Sequence, residues 1–399
     1  MKIPIQQIAS GVLMLAVFSS ANAQQGAPGK TAGEVYKNVQ VLKDIPSTQF
    51  IPTMRFVATA LGVECEFCHV GTRATDTPNK ETARKMMTMM LGINKQNFEG
   101  RLEVTCFTCH KGTHDPVNNP TATGQYSAAG PGVFYKPTGA AAGAVDEVMA
   151  VAYKEEMAKE QAATAASTPT ADQILAKYVA ALGGEAALRK VTSRIVTSTT
   201  ELAPNVRGTG PMTYVQQIQY SKAPNLYMTT LQRFNGAVTA KGFDGTDAWT
   251  QNANGGVAQL AGTDLSRAKR DADFYESINL KAEYTRLTVR GIEKVGERDA
   301  YVVVGNPAGD NAERLYFDTQ SGLLVRKDTF NTTALGRYGI QTDYSDYRDV
   351  GGVKVPFLIN TVSVSPADTA VIHVEKVENN PTIDAAKFVK PTPKPPAAR

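Results

Sequence analysis

Apolar positions along this chain follow a helical period in its first part and a strand-and-turn pattern in its last. Phe50, Met54, Val57 and Leu61 recur at helical spacing and predict one apolar helix face. Ser47 or Thr48 would cap that helix, and Pro52 suits its first turn. A second helix is predicted over 79–98, with Met86, Met90 and Ile93 or Phe98 towards one side. The stretch 145–166, rich in Ala, Glu, Lys and Met, reads as a lone helix, and Ser167-Thr168-Pro169-Thr170 as a linker. Residues 171–184 form an amphipathic helix stopped by paired glycines. Most of the chain beyond Gly184 reads as short strands. Strands at 314–317 and 323–326 flank the turn 318–322, and Gly351-Gly352 separates 344–350 from 353–364. A further strand covers 371–377 and carries His373 as an ordinary strand residue. One helix leading a long antiparallel run predicts a curved sheet wrapped over that helix.

Composition adds scale. The 399 residues are 42% hydrophobic and 20% charged, enough for two domains and a sizeable core. Residues 1–23 read as a secretory signal peptide, with Lys2 as the positive region, 11–18 as the apolar core and Ala21-Asn22-Ala23 as the cleavage site. An exported chain is separated from nucleotide-driven chemistry, and no phosphate-binding glycine loop is present. The formal net charge is +4, of which Lys2 carries one. Basic runs interleaved with aromatics are missing, so nucleic acid is not an expected partner. The expected organisation is 1–23 signal peptide, 24–140 first domain, 141–170 helix and linker, 171–390 β-rich domain and 391–399 disordered tail.

The candidate chemistry lies in the first domain, where one phrase occurs twice. Val63-Glu64-Cys65-Glu66-Phe67-Cys68-His69-Val70-Gly71 and Val104-Thr105-Cys106-Phe107-Thr108-Cys109-His110-Lys111-Gly112 both read V-x-C-x-x-C-H-x-G. C-x-x-C-H is the attachment signature of c-type haem. Two intervening residues let both sulfurs, Cys65 with Cys68 and Cys106 with Cys109, reach the two vinyl-derived positions of one macrocycle. The next residue, His69 or His110, then falls under the iron. All four cysteines and two of the four histidines are used in this way. Zinc, a redox dithiol and a disulfide are the competing uses of the cysteines, and none of them calls for a histidine directly after both pairs. Two haems would bring up to four propionates, so the holoprotein would be near neutral or slightly acidic.

An iron that only carries electrons wants a sixth ligand, whereas an open site invites small ligands or catalysis. The two remaining histidines are His114, in a Pro/Asn/Gly-rich exit loop, and His373. Methionines are plentiful upstream of both motifs. On a helix face they serve core packing, and near haem a soft thioether also suits the iron.

These residues resemble a known family. The run 39–44, then Met54, the first motif, Thr82-Ala83-Arg84-Lys85-Met86, Ile93-Asn94 and the second motif are similar to the first haem pair of the photosynthetic reaction-centre cytochrome c subunit. The resemblance covers about 33–115. It implies two haem c groups with His/Met ligation, Met54 and Met86 being the sixth ligands, Met90 a fallback, and Met89 with Met90 packing residues. It also implies electron transfer with redox partners on the periplasmic side, including a membrane-bound complex. The family's second haem pair has no counterpart, and Lys111 stands where the family usually has arginine.

The later phrases Phe243-Asp244-Gly245-Thr246-Asp247-Ala248-Trp249, 316–324 and 346–356 resemble lipoprotein-carrier domains of the LolA/LolB type. That resemblance implies an open half-barrel whose hollow holds acyl chains or a quinone, or the same scaffold with a filled core. The expected fold class is therefore multidomain α + β, a small, mostly helical dihaem cytochrome followed by an antiparallel LolA-like half-barrel with a helix. The expected function is exported, non-enzymatic electron transfer. A lipid or quinone carrier with accessory haems and a dihaem peroxidase are the alternatives.

Overall fold

The computed structural model describes residues 29–116, 169–202, 213–233, 235–363 and 369–393. The expected signal peptide, the lone helix at 145–166, most of the exit loop and the end of the tail lie outside the described residues.

The first region is helical: α1 (Ala32–Val35), α2 (Ser47–Leu61), a 3-10 turn (Cys65–Phe67), α3 (Pro78–Asn97) and α4 (Cys106–His110). Helix α3 starts at Pro78, one residue before the expected Asn79. Thr77 accepts a hydrogen bond from the Lys80 N–H, and Pro78 occupies the first turn, where a missing N–H costs nothing. Helix α2 takes the candidate cap Ser47 as its first helical residue, with Pro46 at the N-cap position and no side-chain cap. Pro52 consequently lies inside the helix rather than in its first turn. The hydroxyl of Thr53 donates to the Gln49 carbonyl at 2.7 Å, a back-bond within the helix that satisfies this buried hydroxyl.

The buried stripes differ from the predicted faces. In α2 the buried positions are Ser47, Thr53, Phe56, Ala58 and Ala60, with Phe50, Met54 and Val57 packed beside Phe56. In α3 they are Met87, Met90 and Asn94, one residue round from the predicted line. Met89 is exposed and does not take the packing role expected of it. The cause is tertiary. Leu335 and Tyr338, from the far end of the chain, enter the core formed by Leu42, Phe56, Met87 and Met90.

The second region is built on one open antiparallel sheet of 13 strands among the described residues. Strands β1 (Ser193–Leu202), β2 (Thr213–Lys222), β3 (Leu226–Gln232), β4 (Val238–Phe243), β5 (Ala248–Gln251) and β6 (Val257–Gln259) step outwards to one edge. The chain then crosses to the other edge. Strands β7 (Tyr284–Val295), β8 (Arg298–Pro307), β9 (Glu313–Asp318), β10 (Leu324–Thr333), β11 (Gly336–Asp349), β12 (Lys354–Ser363) and β13 (Ala370–Asn379) return until β13 pairs with β1. Helix α5 (Ala171–Ala181) ends before Gly183 and Gly184, both at positive φ, as the paired glycines predict. A short α6 (Glu185–Leu188) comes next. Ile174, Leu175, Tyr178 and Leu182 pack on Val303, Leu315, Phe317 and Ile359 of the sheet.

Two helices not anticipated from the sequence carry the crossover, α7 (Gly262–Ala272) and α8 (Glu276–Glu283). Their signal was present in Leu265, Ala268 and Ala272 at helical spacing, but charged residues dilute it. Those charges are used. Arg267 grips the Asp310 carboxylate with two bonds of 2.6 and 2.7 Å, and Arg270 joins Asp310 to Glu313. These pairs hold the Asp310 pKa down to about 2 against the opposing effect of burial.

Candidate haem-binding site

The two cysteine motifs are brought side by side by the backbone. Gly62 ends α2 in the left-handed conformation at φ 64°, and a side chain there would run into the Gly112 carbonyl. The Gly112 N–H donates to the Ala60 carbonyl at 2.9 Å. The residue closing the second motif thus seats on the helix end that leads into the first. The rings of Phe67 and His114 meet at 5.8 Å across the same junction.

Helix α3 brackets both motifs. At its N-terminal end Thr77 donates to the Cys68 carbonyl at 2.9 Å and Asn79 to the Phe67 carbonyl at 2.9 Å. Towards its C-terminal end sits Asn94, 1% exposed. Its side-chain amide donates to the carbonyls of Met90 and Val104 at 3.1 and 2.6 Å, and its oxygen accepts from the Glu103 and Val104 N–H groups at 3.0 and 2.9 Å. A buried amide with every bond made fixes the two residues that feed Thr105 and Cys106. Nothing in the helical periodicity marks Asn94 for this role, since a polar residue on an apolar stripe carries no sign of its partners.

The local geometry of the motifs suits metal-ligating histidines. The His110 Nδ1 lies 3.1 Å from the Thr113 carbonyl. A carbonyl only accepts, so Nδ1 carries the proton and Nε2 keeps its lone pair. The His69 Nδ1 is buried without a hydrogen-bond partner among the described residues. Burial, aided by the positive charge of Lys80, holds the His69 imidazole below its ordinary pKa and so favours the neutral, ligating form.

The cysteines do not resemble a redox dithiol. Burial pushes the Cys68 and Cys106 thiols up, whereas an activated redox dithiol has its thiol pKa lowered. Among the described residues no group of three or more His, Cys, Asp or Glu side chains converges as a metal site, so the two pairs do not form one zinc tetrad.

The two methionines of interest differ in setting. Met54 is part-buried beside the core that contains Phe56 and Met90. Met86 stands out from α3, 41% exposed, while Met90 is 4% exposed and committed to packing. Phe67, Val70, Met89, Leu102 and Phe107 are further large apolar side chains exposed around the motifs. A concentration of this kind marks a surface that something apolar covers.

Among the described residues no helix is long and apolar enough to cross a membrane. Comparison with solved structures returns LolA-like proteins over the sheet region. A LolA superfamily protein from Nitrosomonas europaea aligns with TM-score 0.41 and 13% identity over 56% of this chain and 99% of that one. A DUF1329 family protein from Desulfovibrio piger aligns with TM-score 0.36 and 14% identity over 50% and 90%. In sequence, the photosynthetic reaction center cytochrome c subunit of Thermochromatium tepidum is 38% identical over 94 residues, 22% of this chain and 23% of that protein. The Roseobacter denitrificans subunit is 34% identical over 98 residues, 21% and 26% of the two chains. Cytochrome c-554 of Chloroflexus aurantiacus is 38% identical over 82 residues, 18% and 20% of the two chains. The matched segments span about a quarter of the length of these relatives or less. Residues 7–133 match the family model described as photosynthetic reaction centre cytochrome C subunit, and it is to this family that the N-terminal region of the chain is similar.

Proposed function

We propose that this chain is an exported electron carrier holding two haem c groups. The observation that carries the reading is the pair of C-x-x-C-H motifs seated against each other through Gly62, Ala60 and Gly112. Cys65 and Cys68 would anchor one group and Cys106 and Cys109 the other, with His69 and His110 as axial ligands. When bound, each haem iron supplies a one-electron couple.

The chain's own residues set the conditions for that couple. Thr113 holds the His110 ring in the tautomer that presents Nε2, which fixes the ligand's direction and raises its basicity. Thr77, Asn79 and Asn94 fix the backbone at the two attachment points, so little has to rearrange between oxidation states. Met54 and Met86 are the proposed sixth ligands. Each lies on a helix that contacts the motifs, and a thioether favours the ferrous state. The exposed apolar side chains around the motifs give a porphyrin face something to cover, and covering them excludes water from it. Maturation and function on the periplasmic side, with protein redox partners, complete the proposal.

A pyridine haemochrome assay on protein made in a host competent for cytochrome maturation should give two haems per chain, and none would end the proposal. Met54→His and Met86→His should each lower one potential and remove one sulfur–iron band from the ferric spectrum. If both bands survive both changes, the methionine assignment fails. Rapid cyanide binding by the resting protein would show an open iron and favour a peroxidase instead.

A further inference from the structure

Where the second motif faces the sheet, an open groove of about 630 Å³ lies between the two regions, within the range of small-molecule sites. Leu102 and Thr105 line it from the helical side. Thr105 is the N-cap of α4 and the residue immediately before Cys106. On the sheet side Val302, Val304 and Phe330 give it an apolar floor. Arg290, Arg314 and Arg337, from β7, β9 and β11, line the same groove, with Glu293 as the opposing charge. All three arginines are exposed, and none forms an ion pair among the described residues. The guanidinium groups of Arg267, Arg270 and Arg326, by contrast, are each engaged by carboxylates. Arg314 is steadied by Tyr316, whose hydroxyl also reaches Asp328 at 2.9 Å.

An apolar floor, arginines outside any ion pair among the described residues and a lining residue, Thr105, next in sequence to Cys106 together specify the ligand's chemistry. It is a flat apolar body bearing carboxylates. We propose that Arg290, Arg314 and Arg337 receive the propionates of the haem carried by Cys106 and Cys109, so that the outer face of the sheet forms one wall of that haem's site. This rests on the dihaem reading. Arginine suits the task because its planar fork pairs with a carboxylate through two bonds and never loses its charge. It also gives the sheet a role in the redox chemistry, because positive charge beside the propionates disfavours the ferric state and raises the potential of that haem.

The test is a spectroelectrochemical titration of the holoprotein carrying R290Q, R314Q and R337Q together. Two haems per chain and an unchanged thermal midpoint establish that the variant is assembled. The expected result is a fall in one potential only, about tenfold in the ferric–ferrous equilibrium or about 59 mV for one electron. That potential should also become more dependent on pH, as propionates without partners protonate at higher pH. The triple lysine variant should recover most of the lost potential. If two haems are present and both potentials are unmoved, the inference is wrong and the dihaem reading stands. If no haem is present even in the wild type, the dihaem reading itself has failed. Native mass spectrometry of the wild-type holoprotein covers the other source of the same chemistry. A non-covalent fatty acid carboxylate, released by the triple glutamine change, would overturn the haem assignment of the groove.

Discussion

Replacing Asn94 with alanine tests how the second motif is held. The change removes four hydrogen bonds and leaves a small void. Two of the groups concerned have other partners. The Met90 carbonyl lies within α3, and the Glu103 N–H also reaches the Arg101 carbonyl at 3.0 Å. The main loss falls on Val104, whose N–H and C=O both point at the Asn94 side chain. A buried backbone group left unpaired costs about 1–3 kcal/mol, so the pair gives about 2–6 kcal/mol. Val104 is only part-buried and water recovers some of that, so the expected loss is about 2–4 kcal/mol. Urea unfolding of the holoprotein measures it. The redox titration should show the haem at Cys106 and Cys109 disturbed and the haem at Cys65 and Cys68 unchanged. Asn79→Ala is the matched control. It releases only the Phe67 carbonyl at an exposed position, and it should cost less than about 1 kcal/mol. A loss for Asn94→Ala no larger than that of the control, or an equal disturbance of both haems, would refute the reasoning.

Two further perturbations probe the sheet region and its junction with the helices. Leu335 is 0% exposed among Phe56, Met87 and Met90, so Leu335→Ala should lose about 2–4 kcal/mol in urea unfolding. A loss under about 1 kcal/mol would mean that the hairpin tip is not seated in this core. Glu283 has both carboxyl oxygens buried without a hydrogen-bond partner among the described residues. Burial, reinforced by Glu276, pushes it up to about 9. The folded protein therefore holds a proton that the unfolded chain releases above its ordinary pKa of about 4.3. This contribution to stability is complete below that value and is lost as pH rises towards 9, by at most about 1.4 kcal/mol per pH unit. Glu283→Gln keeps the shape, removes the titration and should flatten the decline of the urea midpoint between pH 5 and 9. An unchanged slope would place Glu283 in contact with water.

The sequence by itself carries the signal for the proposed chemistry, because attachment of c-type haem would depend on covalent spacing within five residues. Cys65, Cys68 and His69, or Cys106, Cys109 and His110, are within reach of one macrocycle wherever the chain folds. It also determined elements whose signals are local, among them the glycine stop after α5 and the turns between β9 and β10 and between β11 and β12. The tertiary structure alone decided which side of each helix is buried. The apolar residues of α2 and α3 are numerous enough to offer several faces. The choice of Phe56, Met87 and Met90 is made by Leu335 and Tyr338, more than two hundred residues away in the chain. Gly336 shows the same dependence, since its lack of a side chain is explained only by the Phe56 ring lying against it. The bonding of Asn94 and the role proposed for the three arginines are equally non-local. Each depends on partners that no pattern of apolar and polar positions can name, because hydrogen bonds and charges act across space rather than along the sequence.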